Sequence, residues 1–321
     1  MPIYDLGTLP AGLRDQLAGL SPSLGDPPQD YAFIERLRRL RFPASDYYAV
    51  YAVERGRILS RIETVQLTLT TARGPEPVVG IADVLTRPEA AGRGLARRLL
   101  EEVHRREADQ GRGWALLWTQ SSWGAHHLYE SLGYRDIFSP PVALREIPER
   151  GPSMPPGYRW TKARVGDLPR LERILAEGTR DRWGLVPRYE GSFRLRTHLG
   201  WRRIGDHRLL WKEGAVVGYA HLPGGQRHYL GTNEVVVVAP EHARPMLRAI
   251  ESIAAGRWLV ISSSTFATDV APELADHGYA VYPRMHAVLM AKRLGGSGPG
   301  PRSLAAMARH PRFSCHRGDA F

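Results

Sequence analysis

Apolar and polar positions fall into two successive runs of the same order. In the first, "DYYAVYAVERG" and "RILSRIETVQLTLTTARG" are rich in β-branched and aromatic residues and meet at a Gly turn, predicting two strands. "PVVGIADVLT" predicts a third, ended by Pro88, which cannot donate to a ladder. The period then changes. Leu95, Leu99 and Val103 recur every four residues beside Ala96 and Leu100, the stripe of an amphipathic helix from about Gly94 to Asp109. Its outer face offers the opposite-charge i,i+4 pairs Arg97–Glu101, Arg98–Glu102, Glu101–Arg105 and Glu102–Arg106. "WALLWTQ" predicts a buried strand, "GAHHLYESLGY" a short helix and "IFSPPVALREI" closing β structure. The order β-β-β-α-β-α-β implies a mixed α/β (α+β) sheet.

The second run repeats that order after about 150 residues: strand "YRWTKA", helix "GDLPRLERILAEG", hairpin "HRLLWKEGAVVGYAHL", strand and helix "TNEVVVVAPEHARPMLRAIESIAAG", strand "RWLVISSS", helix "VAPELADHGYAV" and strand "RMHAVLMAKRL". The Pro- and Gly-rich stretch Glu149–Trp160 reads as a linker. The expected organisation is a domain over 1–150, a second over 157–294 and a flexible basic tail over 295–321, opened by "GGSGPGPR". An early loop, "LSPSLGDPPQD", precedes a helix expected near Tyr31–Leu40.

Length and composition narrow the chemistry. The 321 residues, 43% hydrophobic and 24% charged, suit two globular domains. No long apolar run spans a membrane and no secretory signal opens the chain, so a cytoplasmic protein is expected. Cys315 is the single cysteine, which excludes an intrachain disulfide, and the scattered histidines argue against a metal site. His126 and His127 project about 100° apart on a helix and read as partly exposed surface. Arginine supplies 41 of the 44 cationic side chains behind the net charge of +11. These arginines are interspersed with Glu and Asp, as on a solvated surface, and no helix-turn-helix or aromatic-basic motif supports nucleic-acid binding.

The turn after Pro88 is different. Gly92 and Gly94 permit positive φ and close approach of the main chain to a ligand. The N–H groups from Gly92 to Arg97 face outward at the positive end of a helix dipole, an arrangement suited to a pyrophosphate, with Arg93, Arg97 and Arg98 adding charge. No Gly-Lys-Ser/Thr follows, which excludes a P-loop, and a third glycine at Rossmann spacing is absent.

With its neighbours this turn resembles the GCN5-related N-acetyltransferases. Their signature, Gln/Arg-x-x-Gly-x-Gly/Ala after x-Pro-Glu, reads here Ala91-Gly92-Arg93-Gly94-Leu95-Ala96 after Arg87-Pro88-Glu89. Their later Asn-x-x-Ala-x-x-Leu-Tyr-x-x-x-Gly-Phe/Tyr matches Ser122 to Tyr134, with Ala125, Leu128, Tyr129 and Gly133 in place. The resemblance covers roughly Tyr47–Pro148 and departs at Ala91 and Ser122, which replace side chains that contact the cofactor.

The resemblance implies an N-acetyltransferase in which acetyl-coenzyme A lies between splayed strands, its pyrophosphate on the Gly92–Arg97 amides, Leu95 and Ala96 included. Its pantetheine would pair with Val84, Leu85 and Thr86, near Ser122, and a main-chain N–H near Val84 or Leu85 would polarise the thioester. Tyr129 is implied as the general acid for the departing thiolate. Glu63 is the first candidate for the general base of a primary amine acceptor, small molecule or protein, with Asp83 second. Aligning Pro240 with Pro88 puts Pro245 and Met246 at the positions of Arg93 and Gly94, and Leu274 at that of Tyr129. The second copy is therefore expected to keep the fold and lose the ligand. Two other readings stay open: a coenzyme A-binding regulator without turnover, and an aminoglycoside-type acetyltransferase whose C-terminal carboxylate, here Phe321, serves as base.

Overall fold

A sheet whose strands run far beyond the usual length dominates the first half, because the β-branched and aromatic runs continue unbroken on both sides of tight turns. The computed structural model describes residues 2–5, 7–17, 47–184, 193, 197, 203–223, 227–262, 266, 269–283, 287–295, 301–310 and 312–315. The helix expected near Tyr31–Leu40 lies outside the described residues. In chain order the first half gives β1 (Ile3–Asp5), β2 (Tyr47–Glu54), β3 (Arg57–Thr71), β4 (Gly74–Thr86), α1 (Leu95–Asp109), β5 (Trp114–Gln120), α2 (Gly124–Ser131) and β6 (Arg135–Phe138). The stripe read from the sequence is the buried face of α1: Leu95, Leu99, Leu100 and Val103. Leu99, Leu100 and Val103 pack with Val50, Ile62, Val79, Ile81, Leu117 and Tyr134 in one core. Of the four pairs expected on the outer face, Arg106–Glu102 forms at 2.7 Å and Arg97–Glu101 at 4.0 Å. Arg105 turns instead to Glu102 and Asp109, both at 2.9 Å.

The second half gives β7 (Val142–Glu146), β8 (Tyr158–Lys162), α3 (Leu168–Gly178), β9 (His207–Lys212), β10 (Ala215–His221), β11 (Tyr229–Thr232), β12 (Glu234–Val237), α4 (Ala243–Ile253), β13 (Trp258–Ile261), α5 (Ala271–Asp276), β14 (Ala280–Tyr282), β15 (Ala287–Arg293) and α6 (Pro301–Ala308). No helix among the described residues is long and apolar enough to cross a membrane.

The expected boundary at 150–157 needs correction. The chain divides into one unit reaching Phe138 and resuming at Val288, and another of Ser139–Ala287 with the segment from Met307. The first unit's sheet has the order β1-β2-β3-β4-β5-β15-β6, so the last strand among the described residues is inserted between β5 and β6. Conversely β7, read as closing the first sheet, pairs antiparallel with β13 and β14 in the second unit. Each unit thus borrows one strand from the other half of the sequence. Pro140-Pro141 makes the crossing possible, since neither proline can extend the ladder of β6. The expected flexible tail is also revised: α6 is helical, and Leu304, Phe313 and Cys315 are buried.

The borrowed β15 is tied in by side chains as well as by its ladder. Lys292 Nζ lies 3.2 Å from His104 Nδ1 on α1, and His104 Nε2 lies 2.7 Å from the Tyr134 hydroxyl. Burial, with Lys292 beside it, pushes the His104 imidazole down to about 3. The ring is therefore neutral in the folded state while an exposed histidine titrates near 6.5.

Two outcomes follow from this topology. A fragment of residues 1–150 lacks β15 and the burial of Val288, Leu289 and Met290, worth on the order of 5 kcal/mol, a large part of a domain's ~5–15 kcal/mol. It is expected to give no cooperative urea transition, whereas the full chain does. The neutral His104 contributes stability that is fully present above about pH 6.5 and lost as pH falls toward about 3. His104→Gln is expected to flatten the denaturation midpoint across that window.

Candidate active site

The site begins where two strands stop pairing. β4 and β5 run parallel from Val78↔Trp114 to Ile81↔Leu117, and there the ladder ends. β4 nevertheless continues to Thr86 and β5 to Gln120. From Ala82 onward β4 pairs, among the described residues, with β3 alone, through Glu63↔Ala82, Arg61↔Leu85 and Ser60↔Thr86, and its edge toward β5 carries no ladder there. The parting coincides with a bulge: between Glu63↔Ala82 and Arg61↔Leu85, two residues of β4 face one of β3, and Asp83 takes φ 43°. The bulge falls beside Val84 and Leu85, where the sequence placed the thioester amide. Ser60 Oγ donates to the Leu85 carbonyl at 2.8 Å and meets Thr86 Oγ1 at 2.9 Å, fixing this end of the strand.

Beyond Thr86 the chain makes one 3₁₀ turn at Pro88–Ala90, with Ala91 N–H bonded to Pro88 O at 3.1 Å. Gly92 and Gly94 then take φ 74° and 72°, the left-handed region that a side chain resists. The amides from Gly92 to Arg97 find no main-chain acceptor among the described residues; the first helical bond is Arg98 N–H to Gly94 O at 3.1 Å. A loop of unpaired donors therefore lies at the positive end of the 15-residue α1. Its arginines are unequal. Arg93 is held by Glu54 at 2.8 Å and Arg97 by Ser131 Oγ at 2.5 Å, while Arg98 makes no side-chain hydrogen bond or ion pair among the described residues. Main-chain N–H groups are thus the more numerous unpaired donors of this loop among the described residues.

Tyr129 lies on the inner face of α2, buried, with its ring edge-on to Tyr134 at 5.8 Å. Burial pushes its phenol up to about 12, so it stays protonated at neutral pH. Its hydroxyl makes no hydrogen bond among the described residues. Ser122, by contrast, is exposed in the turn before α2, beside the half-exposed Trp123.

Glu63 does not stand alone. Arg61, fully buried on the same strand, lies 3.1 Å from Glu63 Oε1 and donates to Asp83 Oδ2 at 2.9 Å. Glu63 is 2% exposed and Asp83 28%, so Asp83 is the carboxylate that solvent reaches. Arg61 was missed in the sequence, although an arginine two residues from a glutamate in a strand projects to the same face, a readable sign of an ion pair. His126 also departs from expectation. It is buried rather than surface, with Nε2 2.9 Å from Asp136 Oδ1. Phe321 lies outside the described residues.

In the second unit the loop is deleted rather than substituted. Pro240–His242 makes the same 3₁₀ turn as Pro88–Ala90, but α4 starts at Ala243 directly, whereas α1 starts four residues after its turn. Pro245 removes a donor from the first turn of α4. Met246 is fully buried, and its Cε would stand 2.7 Å from a Cβ placed on Gly218. Leu274, at the position of Tyr129, is core.

Residues 63–140 match the family model described as FR47-like protein. None of the curated proteins matches the chain. Among solved structures it is similar to a probable N-acyltransferase from Enterococcus faecalis V583, with 14% identity and a TM-score of 0.63 over 91% of this chain and 72% of that one. A GCN5-related N-acetyltransferase from Kribbella flavida gives 17% identity and a TM-score of 0.60 over 91% and 72%. A tandem GNAT protein from the clavulanic acid biosynthesis pathway gives 15% and 0.55 over 92% of this chain and 100% of that one. The first unit thus carries most of an FR47-like segment, and the chain has the fold of the GCN5-related N-acetyltransferases in its tandem form.

Proposed function

We propose that the first unit is an acetyl-coenzyme A-dependent N-acetyltransferase acting on a primary amine, and that the second unit takes no part in the chemistry. The observation that carries this reading is the open edge of β4 leading directly into a loop of unpaired amides. The amides of Gly92, Arg93, Gly94, Leu95, Ala96 and Arg97 suit a pyrophosphate, with Arg98 as the available cation. The open edge at Val84, Leu85 and Thr86 suits the amide-bearing pantetheine arm, which would lie along it like an added strand and pass the turn at Ser122. The bound thioester would supply the acetyl group.

The rest is the work of this chain's residues. A main-chain N–H near Val84 or Leu85 would stabilise the oxyanion that forms when the amine nitrogen attacks the carbonyl. The amine must first lose the proton it carries at neutral pH. Asp83 receives that proton directly, or Glu63 does so through water, with Arg61 within 3.1 Å of both carboxylates. As the C–S bond breaks, the neutral Tyr129 phenol donates its proton to the sulfur. The second unit lacks the loop and carries Leu274 at the tyrosine position, so the same steps have no donors there.

Release of coenzyme A thiol, followed on a panel of lysine peptides, protein N-termini, polyamines and aminoglycosides, tests the reading. Turnover on at least one class is expected, with Tyr129→Phe slowing it by about 10²-fold while the denaturation midpoint is kept. Cofactor binding without turnover on any class would replace the enzyme by a coenzyme A-binding regulator. Glu63→Gln leaves Arg61 buried beside one carboxylate instead of two and is expected to cost about 3 kcal/mol in urea denaturation. A loss below about 1 kcal/mol would show that the buried pair contributes little to stability.

A further inference from the structure

One end of α2 gathers three metal-ligating groups that the acetyl-transfer reading does not use: the buried His126 and the exposed His127 and Glu130. His126 Nδ1 lies 3.5 Å from Glu130 Oε2, and His127 Nδ1 lies 3.2 Å from the same oxygen. One ligand atom from each of the three residues falls within 4.8 Å of the other two. For bonds of about 2.0–2.1 Å, tetrahedral ligands around Zn²⁺ stand about 3.3 Å apart. Both contacts measured to Glu130 lie close to that edge. The 100° between successive helix positions, which argued against shared ligation in the sequence, is overcome because both rings turn toward the carboxylate one turn on.

A second observation comes from another element. His126 Nε2 is 2.9 Å from Asp136 Oδ1 on β6, so one ring nitrogen faces a carboxylate while the other points at Glu130. A histidine whose second nitrogen donates to a carboxylate is the usual support of a metal ligand, because the bond fixes the ring and its tautomer. In that tautomer the lone pair of His126 Nδ1 faces a carboxylate oxygen across 3.5 Å. Something positive belongs between them. His127 is 81% exposed and Glu130 43%, which leaves a path for an ion and an open fourth position for water.

We propose that His126, His127 and Glu130 form a divalent transition-metal site, oriented by Asp136, whose two-nitrogen, one-oxygen set suits Zn²⁺. An ion there joins α2, the helix that carries Tyr129, to β6 through His126 and Asp136. The acetyl-transfer reading uses none of the three ligands: His127 and Glu130 are exposed, and His126 shares the buried side of α2 with Tyr129.

Untagged full-length protein, stripped with chelator, is titrated with Co²⁺ followed by its ligand-field spectrum and with Zn²⁺ by competition and thermal denaturation. One ion per chain is expected, with a raised Tm. His127→Ala changes only an exposed side chain and is expected to weaken binding by at least tenfold, as is Glu130→Gln. Asp136→Asn keeps all three ligands and is expected to weaken binding by about 10–100-fold. If the wild type binds no tighter than the His127→Ala, Glu130→Gln double variant, the positive group between the rings and the carboxylate is a proton and the proposal fails. Unchanged affinity in the single variants overturns it equally.

Discussion

Backbone donors and acceptors must be satisfied, and the parting of β4 from β5 after Ile81 and Leu117 leaves a row of them without a partner strand. The rest of the first unit is arranged around that opening. The bulge at Asp83 interrupts the strand at its entrance, Ser60 pins the outgoing end, and α1 follows after one 3₁₀ turn and the glycine loop. A side chain at Gly92 or Gly94 would meet no atom within 4 Å, so these glycines answer to their φ rather than to crowding. The loop's shape is what they supply: successive amides aimed outward, at a conformational cost that any other residue would raise.

The second unit shows what happens when the same opening is kept and the loop is not. There the strand itself breaks at Asn233: β11 pairs parallel with β13 and β12 pairs with β10, so the chain changes sheets at the split. With no residues between the 3₁₀ turn and α4, the helix brings Met246 down onto Gly218. An apolar side chain then lies against the strands where the first unit presents polar backbone. Four fewer residues in the loop and one buried methionine separate an exposed row of amides from a packed core.

Features that depend on neighbours in sequence were legible: the stripe of α1, the glycine turn, and the tyrosine four residues before Gly133. Features set by distant partners were not. Pro140-Pro141 reads locally as a turn within a hairpin, and nothing in "VALRE" or "AVLMAKR" states which sheet each strand joins, since both are apolar enough for either. Strand pairing is a choice among long-range partners, and only the structure records it. The basic tail was a different kind of miss. "PRSLAAMA" places proline at a first helical turn before strong helix formers, and that signal was outweighed by the Gly/Pro run just before it. At the candidate site, Glu63 was visible as a carboxylate in a strand, but its burial with Arg61 depends on a register that brings Asp83 alongside.

That buried trio also ties the opening to the register of the sheet. Removing Arg61 from water costs several kcal/mol, and such groups are retained only where close carboxylates offset the penalty. Arg61 meets Glu63 on its own strand at 3.1 Å and Asp83 across the ladder at 2.9 Å. Asp83 reaches it because the bulge shifts β4 by one residue between Ala82 and Leu85. The β4–β5 ladder ends at Ile81, one residue before that shift. The bulge that parts the strands is therefore also the one that completes the ion pairs around Arg61, so a change that straightened β4 would strand a buried guanidinium as well as close the opening.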